Sequence, residues 1–171
     1  MFRRLLAAAG LASVLVLTGC ATTVHLEPAD NANDPLCAEV SVRLPDSVAG
    51  LDRRWTDAQA TGAWGDPTTV ILSCGFEAPA PTTQQCVSID GVDWIVDETD
   101  YPDLRMTTYG REPAVQVYVV TTDVTADAAL SALAGAVTQL PKTAECTDPD
   151  TAAPEDEDAP TTGGQSDDDS E

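Results

Sequence analysis

Cysteine placement constrains this 171-residue chain more than any other feature of its sequence. Cys20 ends an apolar N-terminal segment, and the other four cysteines fall within residues 37–146. An odd number of cysteines in an exported protein leaves one to be explained. Setting Cys20 aside leaves an even set that two disulfides can use in an oxidising compartment: Cys37, Cys74, Cys86 and Cys146.

Four cysteines allow three pairings. We favour Cys37 with Cys146, because this bond would bracket the whole folded region. The second bond would then join Cys74 to Cys86 and close a loop beside a predicted hairpin. Each bond adds about 3 to 5 kcal/mol by constraining the unfolded chain. The alternative is four reduced, buried thiols.

The first 20 residues have the form of a lipoprotein signal peptide. Two arginines precede an apolar stretch over 5–17, which as a helix would span about 20 Å at about 1.5 Å per residue. A bilayer has a hydrocarbon core of about 30 Å, so this stretch suits a signal peptide and not a stable span. It ends at Leu17-Thr18-Gly19-Cys20, which resembles the bacterial lipobox. We therefore predict a signal peptide over 1–19 and lipidation of Cys20; the alternative is an ordinary secretory signal.

Two segments of low complexity flank the core. Residues 20–36 show no sustained periodicity, and we predict a lipidated cysteine followed by a flexible tether. Every charged residue of 147–171 is acidic, so we predict a disordered, solvated tail. Binding of a divalent cation or a basic partner is the alternative for that tail. The region between them, 37–146, is long enough for one small globular domain.

Composition excludes several classes of protein. The formal net charge is −21, with 29 acidic and 8 basic residues, which argues against nucleic-acid binding. A hydrophobic content of 43% is too high for a wholly disordered chain. The chain has a single histidine, His25, which lies in the predicted tether. Most catalytic triads and most transition-metal sites need a histidine in the folded core, so the sequence argues against both. We predict no metal and no cofactor.

The core pattern predicts an α+β fold. Asp34 and Pro35 form a helix start, although alternation over 40–44 leaves a strand open. Thr125 precedes a second, amphipathic helix over 126–140. We expect an antiparallel sheet of about four to five strands with the C-terminal helix on one face. The strand signals lie at 69–72, in a hairpin over 86–98 with an Asp90-Gly91 turn, at 106–109 and at 114–120.

A series of short motifs follows Cys37 along the core. They are Leu44-Pro45, Arg53-Arg54, Ala63-Trp64-Gly65-Asp66-Pro67, Leu72-Ser73-Cys74-Gly75, Gly91-Val92-Asp93-Trp94 and the run from Thr108 to Ala114. Over roughly residues 36–146 the series resembles an actinobacterial family of exported proteins known as domain of unknown function 3515. The resemblance implies an envelope location and a cysteine-stabilised domain, and it carries over no catalytic residue.

Arginines beside aromatic residues are the clearest candidates for ligand or partner contact. A guanidinium can hold a carboxylate, a phosphate or a sugar acid by a bidentate fork. The alternative is that the arginines pair with nearby acids such as Asp52, Asp57 and Asp66, and that the tryptophans pack in the core or at its rim. Nearly all the positive charge of the domain is in Arg43, Arg53, Arg54, Arg105 and Arg111. The candidates for contact are Arg53, Arg54, Trp64, Trp94, Tyr109 and Arg111.

A second set of candidates is acidic. Paired carboxylates can hydrolyse glycosides, and oxygen ligands can hold Ca²⁺, although the spacing here is not that of an EF-hand. Solvated loop acids are the simpler interpretation. The residues concerned are Asp93, Asp97, Glu98, Asp100 and Asp103.

Together these patterns predict a lipid-anchored lipoprotein on the extracytoplasmic side of the cell membrane. We expect a non-enzymatic binding or assembly module with an envelope protein or glycan as partner. The alternatives are an envelope hydrolase that uses paired carboxylates and a structural protein that presents charge at the surface.

Overall fold

A computed structural model describes residues 22–147 of the chain. The predicted signal peptide, Cys20 and the acidic tail from residue 148 onward lie outside the described residues. Eight antiparallel strands form one sheet in the order β1-β2-β3-β4-β8-β7-β6-β5. The elements are α1 (Pro35–Ser41), β1 (Ser47–Val48), β2 (Leu51–Arg54), β3 (Thr61–Trp64), β4 (Val70–Phe76), β5 (Cys86–Ile89), β6 (Val92–Asp97), β7 (Leu104–Thr108), β8 (Ala114–Val119) and α2 (Ala126–Val137).

The prediction of four to five strands is wrong, because the sheet has eight and the domain is mostly β. The predicted strands correspond to β4 through β8, and β1, β2 and β3 were missed. β1 is two residues long, and β2 reads Leu-Asp-Arg-Arg, so neither has a hydrophobic period. β3 contains Gly62, where a Cβ would lie 2.6 Å from the Trp64 ring and 2.9 Å from Leu44. These strands are therefore stabilised by tertiary packing and by pairing with neighbouring strands, and not by the intrinsic β-propensity of their residues.

Both helices pack on the same face of the sheet. The Asp34 side chain caps α1 by accepting from the Leu36 N–H at 2.8 Å, and Thr125 caps α2 by accepting from the Ala128 N–H at 3.3 Å. Both caps confirm the predicted helix starts. The helices and the sheet enclose one core, whose largest fully buried side chains include Trp64, Trp94, Leu72, Met106, Leu130 and Leu133. Within residues 22–147, no helix has the length and apolar character needed to cross a bilayer.

The β5–β6 hairpin turns where the sequence predicts it. Asp90 and Gly91 have φ angles of 47° and 80°, both in the left-handed region that a type I′ turn requires. The Ser131 hydroxyl of α2 donates to the Asp90 carboxylate, so the turn is held against the helix.

The segment before α1 lies against the domain. Val24 forms a parallel bridge with Thr56, and the Asn31 N–H donates to the Gly75 carbonyl at 3.0 Å. Gly75 has a φ of 115°, and a Cβ there would lie 2.5 Å from the Ala32 nitrogen. This docking corrects the prediction of a flexible tether for residues 22–36. The prediction failed because the bonds that hold the segment join residues far apart in the sequence.

Two disulfides join the four core cysteines, but not in the predicted pairs. The bonds are Cys37–Cys74 and Cys86–Cys146. α1 packs beside β4, which places Cys37 against Cys74. The C-terminal segment returns past the β5–β6 hairpin, which places Cys146 beside Cys86. The predicted Cys37–Cys146 bond assumed that a disulfide joins the two ends of the domain. That assumption was wrong, because the order of the strands in the sheet determines which cysteines lie close together.

Candidate functional site

Among residues 22–147, both helices lie on one face of the sheet, and we call the other face the open face. Side chains alternate along each strand, so Val115, Val117 and Val119 enter the core while Gln116 and Tyr118 point to the open face. The paired register aligns one row of open-face residues across six strands. In order, the row is Arg54, Ala63, Ile71, Tyr118, Arg105 and Asp97.

A groove of about 630 Å³ lies on this face, and we call it the open-face groove. Its floor comes from the central strands β4, β8 and β7. The docked N-terminal segment forms one wall, and the β6–β7 loop contributes Asp100 to another. The lining residues are Leu26, Glu27, Ile71, Ser73, Phe76, Asp100, Arg105, Gln116 and Tyr118.

Arg105 organises the floor of the groove. Its Nη1 donates to Gln116 Oε1 at 3.2 Å, and its Nη2 donates to Asp100 Oδ2 at 3.3 Å. The guanidinium carbon lies 5.4 Å from the centroid of the Tyr118 ring, within the range of a cation–π contact. These contacts fix the plane of the guanidinium before any ligand arrives, which favours binding.

Tyr118 and the β6–β7 loop complete the polar network. The Tyr118 hydroxyl donates to Asp103 Oδ2 at 2.7 Å. This hydrogen bond, with burial second, raises the pKa of Tyr118 above its ordinary value. The phenol is the donor in this hydrogen bond, and it is protonated at physiological pH. Nearby, hydrogen bonds from the Thr99 hydroxyl and N–H hold the pKa of Asp97 below its ordinary value.

The predicted tryptophan candidates do not lie in the groove. Trp64 and Trp94 are both fully buried on the helix side of the sheet. Trp64 Nε1 donates to the Pro45 carbonyl at 3.0 Å, so its polar atom is used within the core. Both side chains pack the core, which was the alternative interpretation of the sequence.

Arg111 and Tyr109 also lie away from the groove. Arg111 is 4% exposed, and its guanidinium donates to the carbonyls of Leu140 and Gly91, the latter at 3.0 Å. Burial lowers the pKa of Arg111, although Asp93 nearby opposes the shift. The Tyr109 N–H donates to the Asp93 carbonyl at 2.8 Å. Arg111 thus ties the β7–β8 turn to Leu140 and to the β5–β6 turn, and its remaining donor, Nε, has no partner among the described residues but is buried away from any ligand.

Asp93 is the buried acid of this region. It is 4% exposed on the open face, where the C-terminal segment covers it. Burial would raise the pKa of Asp93, but a hydrogen bond from Ser88 and the Lys142 ammonium outweigh burial and lower it. Lys142 Nζ lies 3.1 Å from Asp93 Oδ2.

Arg53 and Arg54 stay near the surface, on opposite faces of β2. Arg53 donates to the Leu44 carbonyl at 3.1 Å, and Arg54 donates to the Gly65 carbonyl at 3.0 Å and pairs with Asp66 at 3.1 Å. The next residue, Trp55, is 78% exposed. A second concavity of about 390 Å³ opens here, and we call its lining the Trp55 patch: Asp46, Arg53, Arg54, Trp55 and Thr56.

Of the predicted contact residues, only Arg53 and Arg54 lie together at a surface concavity. Sequence analysis named Arg105 and Asp100 in separate sets and did not predict that they line one groove, although the alternation of Gln116 and Tyr118 with buried valines indicated that β8 has a polar face. It could not show that Leu26 and Glu27 form a wall. Among residues 22–147, no three His, Cys, Asp or Glu side chains are grouped to hold a metal ion.

Comparison with known proteins gives one family match. A model of the family described as a protein of unknown function (DUF3515) matches residues 5–146. No curated protein and no solved structure matches the chain.

Proposed function

The chain belongs to the DUF3515 family of proteins of unknown function, and from that premise we propose that it is a lipid-anchored binding module of the cell envelope. The ligand or partner binds in the open-face groove, and the lipid at Cys20 holds the domain at the extracytoplasmic side of the membrane. The observation that carries this proposal is the preorganised Arg105–Tyr118–Gln116 floor of an exposed groove.

The chemistry of the groove suits a polar ligand. Arg105, Gln116 and Ser73 supply donors and acceptors, and Ile71 and Phe76 supply apolar contact area. The side walls add the acidic residues Glu27 and Asp100 around a single cation. A ligand rich in hydroxyl or amide groups, such as a glycan or an extended peptide of the envelope, matches this mixture.

The anchor rests on the sequence and on the position of the N-terminal segment. Cys20 stands two residues before Thr22. Arg54 Nη2 donates to the Thr22 carbonyl at 3.0 Å and to its hydroxyl at 2.6 Å. A lipid on Cys20 would therefore hold the domain close to the bilayer and not at the end of a long tether.

The acids that might form a hydrolytic pair are better explained by separate partners. Asp97 accepts from Thr99, Asp100 from Arg105, and Asp103 from Tyr118. A general acid for glycoside hydrolysis needs a raised pKa, whereas the pKa of Asp97 is lowered. The geometry thus favours binding over hydrolysis.

The groove is tested by photo-cross-linking in cells. A photoreactive residue at Glu27, on the groove wall, should capture a defined partner, and the same residue at Ala132, exposed on α2, should not. Ser73→Trp fills the groove and should abolish capture at Glu27 while leaving the melting temperature nearly unchanged. Equal capture at both positions, or capture that survives Ser73→Trp, would place the binding surface elsewhere.

The anchor is tested separately by labelling with a fatty acid. The native chain should incorporate label and fractionate with membranes, and Cys20→Ala should do neither, because only the thiol can form the thioether. Acyl chains contribute about 0.8 kcal/mol per buried CH₂, so losing them should release the protein. Equal labelling of the Ala variant would show that Cys20 is not the lipidation site.

A further inference from the structure

We propose that the Trp55 patch contacts the headgroup region of the membrane to which Cys20 is attached. The inference rests on the proposed lipid anchor and adds to it an orientation: this end of the domain faces the bilayer. It is independent of what the open-face groove binds.

The N-terminal chain reaches the domain at this patch. The Val24 N–H donates to the Trp55 carbonyl at 2.8 Å, and Val24 bridges Thr56. Arg54 holds Thr22, as described above. Cys20 is two residues from Thr22 and four from Val24, so about 14 Å of extended chain at most separates the lipidation site from the residue bonded to Trp55. A membrane that takes up the acyl chains on Cys20 must therefore lie against this part of the surface.

Trp55 has the side chain and the exposure expected for such a contact. It is 78% exposed, whereas the other two tryptophans are fully buried. An exposed indole in water is costly, but at a membrane surface its apolar ring and its N–H donor are both satisfied. Because the Trp55 carbonyl accepts from the Val24 N–H, the main chain of Trp55 stays beside the segment that leads to Cys20.

The charges around the patch predict how strongly the contact depends on the charge of the lipid headgroups. Arg53 donates one hydrogen bond to the Leu44 carbonyl, and its other N–H groups can donate to a lipid phosphate. Asp46 lines the same concavity, and Asp66 already pairs with Arg54. The acids offset the arginines, so the contact should depend on the indole and should form on zwitterionic vesicles as well as on anionic ones.

This orientation also places one wall of the open-face groove, at Leu26 and Glu27, nearer the bilayer than the opposite wall at Asp100. Leu26 and Glu27, which line the groove, follow Thr22 by four and five residues. That length of chain spans at most about 18 Å. A partner in the groove would therefore approach the membrane surface at the Leu26–Glu27 wall and extend away from it toward Asp100.

The test attaches the mature chain, residues 20–171, to vesicles through its own cysteine. The other four cysteines are paired, so the Cys20 sulfur couples to a maleimide lipid in phosphatidylcholine vesicles and forms the same kind of thioether. A nitroxide quencher on the lipid headgroup should remove most of the Trp55 emission. The Trp55→Phe variant gives the background emission of the two buried tryptophans, which is subtracted. A nitroxide placed deep in the acyl chains should quench the Trp55 emission less than the headgroup nitroxide does.

A matched variant controls for nonspecific quenching. Tyr101 is 77% exposed and lies in the loop between β6 and β7, which are five and four strands from β2, or about 19 to 24 Å at about 4.8 Å per strand. Tyr101→Trp in the Trp55→Phe background should keep its emission with the headgroup quencher. Unquenched Trp55, or equal quenching of the two reporters, would overturn the orientation. Because the coupling is chemical, absence of lipidation in cells would refute the proposed anchor without deciding this result.

Discussion

At the scale of single residues, Gly75 and Gly91 both have positive φ angles but differ in what a side chain would meet. A Cβ at Gly75 would lie 2.5 Å from the Ala32 nitrogen, whereas nothing lies within 4 Å of a Cβ at Gly91. Gly91→Ala should cost about 1 kcal/mol through backbone strain alone. Gly75→Ala adds a backbone clash and should cost about 3 kcal/mol in total.

Urea unfolding of the two alanine variants measures the difference. The larger loss at Gly75 would support close packing of residues 31–32 on β4. Equal losses would mean that the N-terminal segment can move away from Gly75 at little cost.

The buried Asp93 predicts a dependence of stability on pH. Its pKa is lower in the folded protein than in the unfolded chain, so its contribution is present above the ordinary carboxyl pKa of about 3.9 and is lost as the pH falls through the folded value. Lys142→Met removes the ammonium that offsets burial and raises the folded pKa of Asp93. The midpoint of acid unfolding should therefore move to higher pH.

Acid titration followed by circular dichroism measures this midpoint. Glu145→Gln is the matched control, because Glu145 pairs with Lys142 at 3.0 Å but is 72% exposed and leaves the Asp93 pair intact. Equal midpoints for the native chain and Lys142→Met would show that the ion pair contributes nothing to stability.

At the scale of elements, the two disulfides differ in their access to solvent. Cys37 and Cys74 are both fully buried between α1 and β4. Cys86 and Cys146 are half-buried where the C-terminal segment meets β5. Thiol–disulfide exchange requires a thiolate to reach a sulfur atom. A mild reductant should therefore open Cys86–Cys146 first and leave Cys37–Cys74 intact in the folded protein.

Alkylation with mass spectrometry after timed reduction follows each bond. The same treatment in urea is the control, because unfolding should make both bonds reducible at similar rates. Simultaneous reduction in native buffer would mean that the domain opens globally before either bond is attacked.

At the scale of the whole molecule, two C-terminal deletions of different length should differ in their effect on the melting temperature. Deleting 148–171 removes acidic residues that follow the last described position, and the melting temperature should stay within roughly 5 °C, or about 1 kcal/mol. Deleting from residue 141 also removes Lys142 and Cys146, which bond Asp93 and Cys86. That deletion should lower the melting temperature much further. A large fall for the shorter deletion would show that the tail packs on the domain.

The sequence by itself determined those features that depend on neighbours within a few residues. Asp34 and Thr125 cap the two helices, Asp90-Gly91 turns the β5–β6 hairpin, and the valines of β8 alternate with polar residues. Each follows from local backbone conformation and side-chain period, which a short window of sequence contains. The family resemblance also came from the sequence, and the family match confirms it.

Tertiary structure alone decided which distant residues meet. The strand order determines which cysteines form disulfides. Tertiary packing also adds β1, β2 and β3 to the sheet and places residues 22–36 along the open-face groove. It also buried Trp64 and Trp94 while leaving Trp55 exposed. The reason is physical: a side chain's burial and partners depend on what packs against it, and in an antiparallel sheet those neighbours come from strands far away in the sequence.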